Sequence, residues 1–167
     1  MTDRPRAVLI LCTGNSARSI LAESLINARG EGRVIAYSAG SFPKGAVHPQ
    51  ALALLERMGH PVDGLRSKSW DEFAAADAPP IDFVITVCDN AAGEVCPIWP
   101  GGPLKAHWGV PDPPPETGPE AAPAFAETYD RLARRVDAFL ALPLETLDRT
   151  ELKRELDRIG QIDDQAQ

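Results

Sequence analysis

Residues 7–11, AVLIL, form a short unbroken apolar run, the pattern of a strand covered on both faces. Polar and small residues follow, and then Ala17, Leu21, Leu25 and Ala28 recur at helical spacing, with Gly30 placed to stop the helix. A second strand is expected in RVIAYSAG from Arg33, rich in branched and aromatic residues and ended by Gly40. After the turn SFPKG, Pro49 suits the first position of a helix in which Ala51, Leu52, Leu55 and Met58 share a face before Gly59. SKSWDEFAAADA reads as a weaker helical stretch. IDFVITVC, Ile81 to Cys88, is the strongest strand pattern of the chain, and LKAHWGV, Leu104 to Val110, is a fourth.

Beyond a proline-rich connection, Phe125, Tyr129, Leu132, Val136 and Phe139 step by four and three, which predicts a long amphipathic helix. Asp148 and Glu151 have the spacing of a capping box ahead of Leu152, Leu156 and Ile159, and the tail DDQAQ is expected to fray. Strands alternating with helices favour an α/β, three-layer sandwich: a four-stranded parallel sheet with helices on both faces. With no internal repeat and no boundary, residues 1–167 read as one domain with a core over 6–141 and a C-terminal extension, 142–167, bearing a short helix. In such sheets ligands bind beyond the carboxyl ends of the strands. Cys12, Cys88 and Asp112 all fall there.

Composition narrows the function. The 167 residues carry 17 basic and 24 acidic side chains, a net charge of -7, which argues against a nucleic-acid partner. No apolar run reaches membrane-spanning length and none resembles a signal peptide, so a cytoplasmic protein without a membrane partner is expected. Three cysteines make an odd number, which favours reactive thiols over a static disulfide framework.

The connection LCTGNSARS carries the chemistry. A loop entering a helix gathers unpaired backbone N–H groups, and these with the helix dipole attract an anion. Small residues in the run Thr13, Gly14, Asn15, Ser16 and Ala17 let the backbone curl around a tetrahedral oxyanion, while Arg18 supplies a two-pronged donor. The nucleotide-binding pattern GxxxxGK followed by Ser or Thr is absent. The same surroundings favour the thiolate of Cys12, a nucleophile aimed at the central atom of the bound anion. Ser19 is placed to donate to that thiolate and Asn15 to brace the loop. Most isolated cysteines are simply small buried hydrophobes; what sets Cys12 apart is the strand, the C-x5-R-S loop and the helix in succession.

Asp112, in GVPDPPP, follows a strand and is flanked by prolines that fix its carboxyl, which suits a general acid as well as ordinary turn chemistry. Cys88 and Cys96 enclose the small, polar DNAAGEV. A second thiol that attacks an adduct on Cys12, and a third that resolves the resulting disulfide, would move two electrons. The alternative, a zinc site with His107, lacks the usual four closely spaced ligands, so no metal is expected. His48, His60 and His107 are not needed as bases and read as caps or supporting residues. Trp70, Trp99 and Trp108 read as packing.

With these residues in place, the chain resembles the low-molecular-weight tyrosine phosphatase superfamily, and more closely its arsenate reductase branch. The matching stretches are LCTGNSARS, SAG at 38–40, ITVCDNAAGEVCP and HWGVPDP. The resemblance implies that Cys12 is the nucleophile, Arg18 and the loop amides bind the oxyanion, Asp112 is the acid, and Cys88 and Cys96 are the second and third redox cysteines. It implies reduction of arsenate, no bound cofactor, and an external thiol reductant: thioredoxin, or glutathione with glutaredoxin. The spacing from Cys88 to Cys96 is one residue longer than in thioredoxin-coupled members. PPP follows the aspartate where phosphatases place aromatic residues for phosphotyrosine. Two alternatives remain on the sequence alone: a phosphatase of phosphomonoesters, for which the cysteine pair is superfluous, and a non-enzymatic oxyanion or metal sensor, for which no DNA-reading segment is visible.

Overall fold

The computed structural model describes residues 5–75, 77–87, 102–110 and 118–162. Four parallel strands, β1 (Arg6–Leu11), β2 (Val34–Ala39), β3 (Phe83–Thr86) and β4 (Leu104–His107), form one sheet in the order β2-β1-β3-β4. The register pairs Leu11 with both Ala39 and Thr86 and pairs Thr86 with His107, so the carboxyl ends of all four strands line up along one edge. The chain leaves β1 toward β2 on one side and returns to β3 on the other. The switch in direction therefore lies beside the end of β1, where α/β sheets open a crevice.

Side-chain alternation assigns the two faces. Val8 and Ile10 of β1 point into a cluster built with four helices: α1 (Arg18–Arg29), α2 (Pro49–Arg57), α3 (Ala122–Leu140) and α4 (Arg149–Ile159). Ala7, Leu9 and Leu11 point the other way, against Trp70, Phe73 and Ile81. The expected helix in SKSWDEFAAADA is a single 3-10 turn, Trp70–Phe73, capped by the Ser69 hydroxyl. The two buried aromatics three residues apart fit a helix of three residues per turn.

Other boundaries tighten for local reasons. His48 caps α2 by accepting the Gln50 N–H on Nδ1, and Pro49 opens the helix as expected. Its inward face is Ala51, Leu54 and Leu55; Met58, assigned to that face from spacing, lies past the helix end and is exposed. The capping box of Asp148 and Glu151 is formed at α4. β3 and β4 are shorter than their apolar patterns, because Val87, Trp108 and Val110 continue into the core as irregular chain.

The C-terminal extension is part of the core rather than an appendage. Leu142, Leu144, Leu152, Leu156 and Ile159 are all buried in the helix-side cluster. Helix α4 covers the edge strand: Lys153 donates to the Lys105 carbonyl and Arg149 to that of Gly102, both at 2.6 Å. These bonds occupy backbone acceptors that an exposed edge would offer to another strand. No helix among the described residues is long and apolar enough to cross a membrane.

Candidate active site

The loop from Cys12 to Ala17 is shaped by bonds to its carbonyls. Those of Thr13, Gly14 and Ser16 accept the backbone N–H groups of Phe42, Lys44 and His48 at 3.0, 3.0 and 2.9 Å. With the carbonyls pulled outward by the connection after β2, the opposite ends of the loop's dipoles turn toward the cavity within the loop. Asn15 supplies the reversal, with a left-handed φ of 46°. Its side chain is fully buried; Nδ2 donates to Ser19 Oγ and Oδ1 accepts the Lys68 N–H, both at 2.8 Å. Asn15 is thus the internal brace that its position suggests. Because Ser19 Oγ accepts from Asn15, its own hydrogen is left to donate elsewhere.

Gly40, the last residue of SAG, is required by close approach. A Cβ there would lie 2.4 Å from the Thr13 carbonyl oxygen and 2.5 Å from that of Cys12. The loop crosses directly over this glycine, which pairs with Ser69 and is held by bonds to Lys68 and Trp70.

A cavity of about 180 Å³ opens at this place, lined by Cys12, Thr13, Gly14, Ser16, Ala17, Arg18, Phe42 and Lys44. Six of the predicted loop residues therefore share one cavity, while Asn15 and Ser19 stand behind it. Cys12 is buried, 5% exposed, at the carboxyl end of β1. Arg18 opens α1, whose start at Ala17 carries no side-chain cap, and its guanidinium donates to the Val110 carbonyl at 3.0 Å. Asp112, Cys88 and Cys96 lie outside the described residues.

Two lining residues escaped the sequence reading, Phe42 and Lys44, which had seemed to be turn residues. Phe42 is the most exposed large apolar side chain described, at 73%, and Lys44 lays its methylenes over Gly14. The available signal was positional: they follow the strand next to β1, at the same sheet edge, and one is a cation.

Behind the loop lies a buried charge cluster. Lys68 Nζ donates to the carbonyls of Ser38 and Arg66, and the Ser38 hydroxyl donates to Glu23. Burial pushes the Glu23 carboxyl up, against the pull of the Ser38 bond and of Lys68. Burial likewise pushes the Lys68 ammonium down, against the attraction of Glu23. Desolvation outweighs attraction at both groups. The histidines have supporting roles: His48 caps α2, His60 Nε2 meets the Tyr129 hydroxyl at 2.7 Å, and His107 Nδ1 meets Thr86 Oγ1 at 2.7 Å. Trp70 and Trp108 are buried in the two core clusters. No group of three His, Cys, Asp or Glu side chains suited to a metal occurs among the described residues.

The cavity brings the Cys12 thiol, the Arg18 guanidinium and the Lys44 side chain to one place. The chain is similar to known proteins over most of its length. Residues 7–157 match the family described as low molecular weight phosphotyrosine protein phosphatase. An arsenate reductase of Halalkalibacterium halodurans is 32% identical over 136 residues, spanning 80% of this chain and 94% of that protein. A solved arsenate reductase in the oxidized state superposes with a TM-score of 0.66 at 27% identity, covering 81% of this chain and 97% of the other. A thioredoxin-dependent arsenate reductase of Corynebacterium glutamicum superposes with a TM-score of 0.61 at 25% identity, covering 82% and 61% respectively.

Proposed function

Because the chain belongs to the low molecular weight phosphotyrosine protein phosphatase family, we propose that it is the arsenate reductase variant of that chemistry, working in the cytoplasm. The observation that carries the reading is a buried cysteine, Cys12, lining an anion-sized cavity together with Arg18 and Lys44. Its extension from oxyanion binding to reduction is supported by the arsenate reductases that match along nearly their whole length and by the second and third cysteines in this sequence.

The reaction begins with the Cys12 thiolate attacking arsenic of a bound arsenate. The loop amides and Arg18 hold the oxygens and stabilise their negative charge. An S–As(V) bond forms, an As–O bond breaks, and Asp112 gives its proton to the departing oxygen, which leaves as water. The Cys88 thiolate then attacks the sulfur of Cys12. A disulfide forms, and the electron pair of the broken S–As bond stays on arsenic, which leaves as arsenite. Arsenic gains two electrons and the two thiols lose them. Cys96 attacks Cys88 and frees Cys12, and the Cys88–Cys96 disulfide is reduced by thioredoxin; the alternative reductant, glutathione with glutaredoxin, acts on the Cys12–Cys88 bond. No bound cofactor or metal is needed, because the thiols supply the electrons and the loop supplies the positive field.

Arsenite release measured with each purified reductant system, on wild type, Cys88→Ser and Cys96→Ser, tests this. Wild type turns over with at least one system and Cys88→Ser does not. If neither system supports arsenate turnover while Cys88→Ser hydrolyses aryl phosphates as fast as wild type, the chain is a phosphatase and the reductase reading is wrong.

A further inference from the structure

The chain that leaves β4 is held at every backbone polar group of three successive residues except one amide. Trp108 and Val110 donate their N–H groups to Thr86 and Val87 at 2.7 and 3.1 Å. Their carbonyls face two guanidinium groups from different helices. Arg135, on α3 and only 2% exposed, donates from Nη1 to the carbonyls of Trp108 and Gly109, both at 2.8 Å. The next carbonyl along, that of Val110, accepts from Arg18 Nη1 at 3.0 Å. Helix α4 adds a hold from another direction: the buried Trp108 indole donates to the Leu156 carbonyl at 3.0 Å. The end of that helix also packs so close that a Cβ on Gly160 would lie 2.3 Å from the His107 carbonyl oxygen.

A guanidinium taken out of water is retained only where its donors meet good acceptors, and charge-assisted bonds to two adjacent carbonyls fix a backbone far better than one point contact. We propose that Arg135 is a positioning residue for Arg18. By fixing the carbonyls of Trp108 and Gly109 it sets the Val110 carbonyl, which anchors one arm of the Arg18 guanidinium while that side chain lines the anion cavity. Arg18 then meets the oxyanion already oriented, and the ordering cost is met by the fold rather than by the ligand. The inference rests on the proposed reading only in taking Arg18 as the anion-binding arginine; it does not depend on the redox steps.

Protection of Cys12 from iodoacetamide by inorganic phosphate, read on the Cys12 peptide by mass spectrometry, gives anion affinity without turnover. The comparison is wild type, Arg135→Lys, Arg18→Lys and the double variant. Arg135→Lys is expected to weaken phosphate protection, each variant's rate taken relative to its own unprotected rate, about tenfold, and to weaken it less than about twofold once Arg18 is Lys. Equal weakening in both backgrounds makes Arg135 a general structural residue and overturns the proposal, as does no weakening at all. Trp108→Phe provides a second variant should Arg135→Lys not fold. It loses the indole bond while Leu156 keeps the Gly160 N–H at 3.2 Å, and the same Arg18-dependent pattern is expected at about threefold. Its absence overturns the proposal equally. If the variants show this pattern but the wild type reduces no arsenate, the reductase reading alone fails; a wild type protected by neither phosphate nor arsenate sinks both.

Discussion

The connections that leave β1 and β2 run side by side at one sheet edge and divide a single task. The first, from Cys12 to Ala17, carries the thiol and turns its carbonyls away from the cavity. The second, from Gly40 to His48, donates three amides to those carbonyls and places two side chains at the rim. The cysteine lies in one loop and the bonds that shape that loop come largely from the other. An anion site built from backbone dipoles cannot be held by its own residues alone, since each inward-turned amide requires an outward-turned carbonyl that must find a partner.

Breaking the contact between the two connections has the largest expected effect. Gly40→Ala places a methyl 2.4 Å from the Thr13 carbonyl oxygen, so one backbone must shift. A displacement near 1 Å at a reacting group costs on the order of 100-fold in rate, and the overpacking costs about 1–3 kcal/mol in stability. Steady-state turnover and a denaturant midpoint measure the two. Retention of full activity would show that the second connection yields without moving the first.

Asn15 sharpens the comparison, because it ties the first connection to Lys68 and not to the second. Asn15→Ala leaves the buried Lys68 N–H without its partner and replaces a residue that tolerates the left-handed φ of 46° with one that tolerates it less. A loss of about 2–3 kcal/mol is expected, read from the denaturant midpoint. Asn15→Gly removes the same bonds but relieves the backbone, so it should be more stable than Asn15→Ala by about 1 kcal/mol. Equal midpoints would mean that the backbone conformation contributes nothing and the bonds account for the whole effect.

How much of this was legible in the sequence follows from which interactions are local. AVLIL, Pro49, the pair Asp148 and Glu151, and the spacing from Phe125 to Phe139 each encode an element within a few residues, and each appears where expected. That Cys12 and Arg18 share one cavity was legible because they flank a single strand-to-helix loop. The support from Phe42, Lys44 and His48 was not, because backbone amides acting across some 30 residues of sequence leave no side-chain signature. The 3-10 turn at Trp70 differs from the expected helix for the opposite reason. Its pattern was local, but two buried aromatics three apart satisfy either helix type, and the sheet face chose between them.

Lys44 offers the mildest perturbation, since it touches the first connection through both its backbone and its stem. Lys44→Met preserves the backbone bond to the Gly14 carbonyl and keeps methylenes for Gly14 to pack on, so it removes the charge and little else. An exposed cation beside a small dianion contributes on the order of 1 kcal/mol or less. The KM for the oxyanion should therefore rise about three- to fivefold at low ionic strength, with kcat unchanged, and the difference should shrink as salt shortens the screening length to about 3 Å at 1 M. A KM that does not move at low salt removes Lys44 from anion recognition. One that stays raised at 1 M salt assigns its effect to the shape of the loop, making the second connection a scaffold in its side chains as well as its backbone.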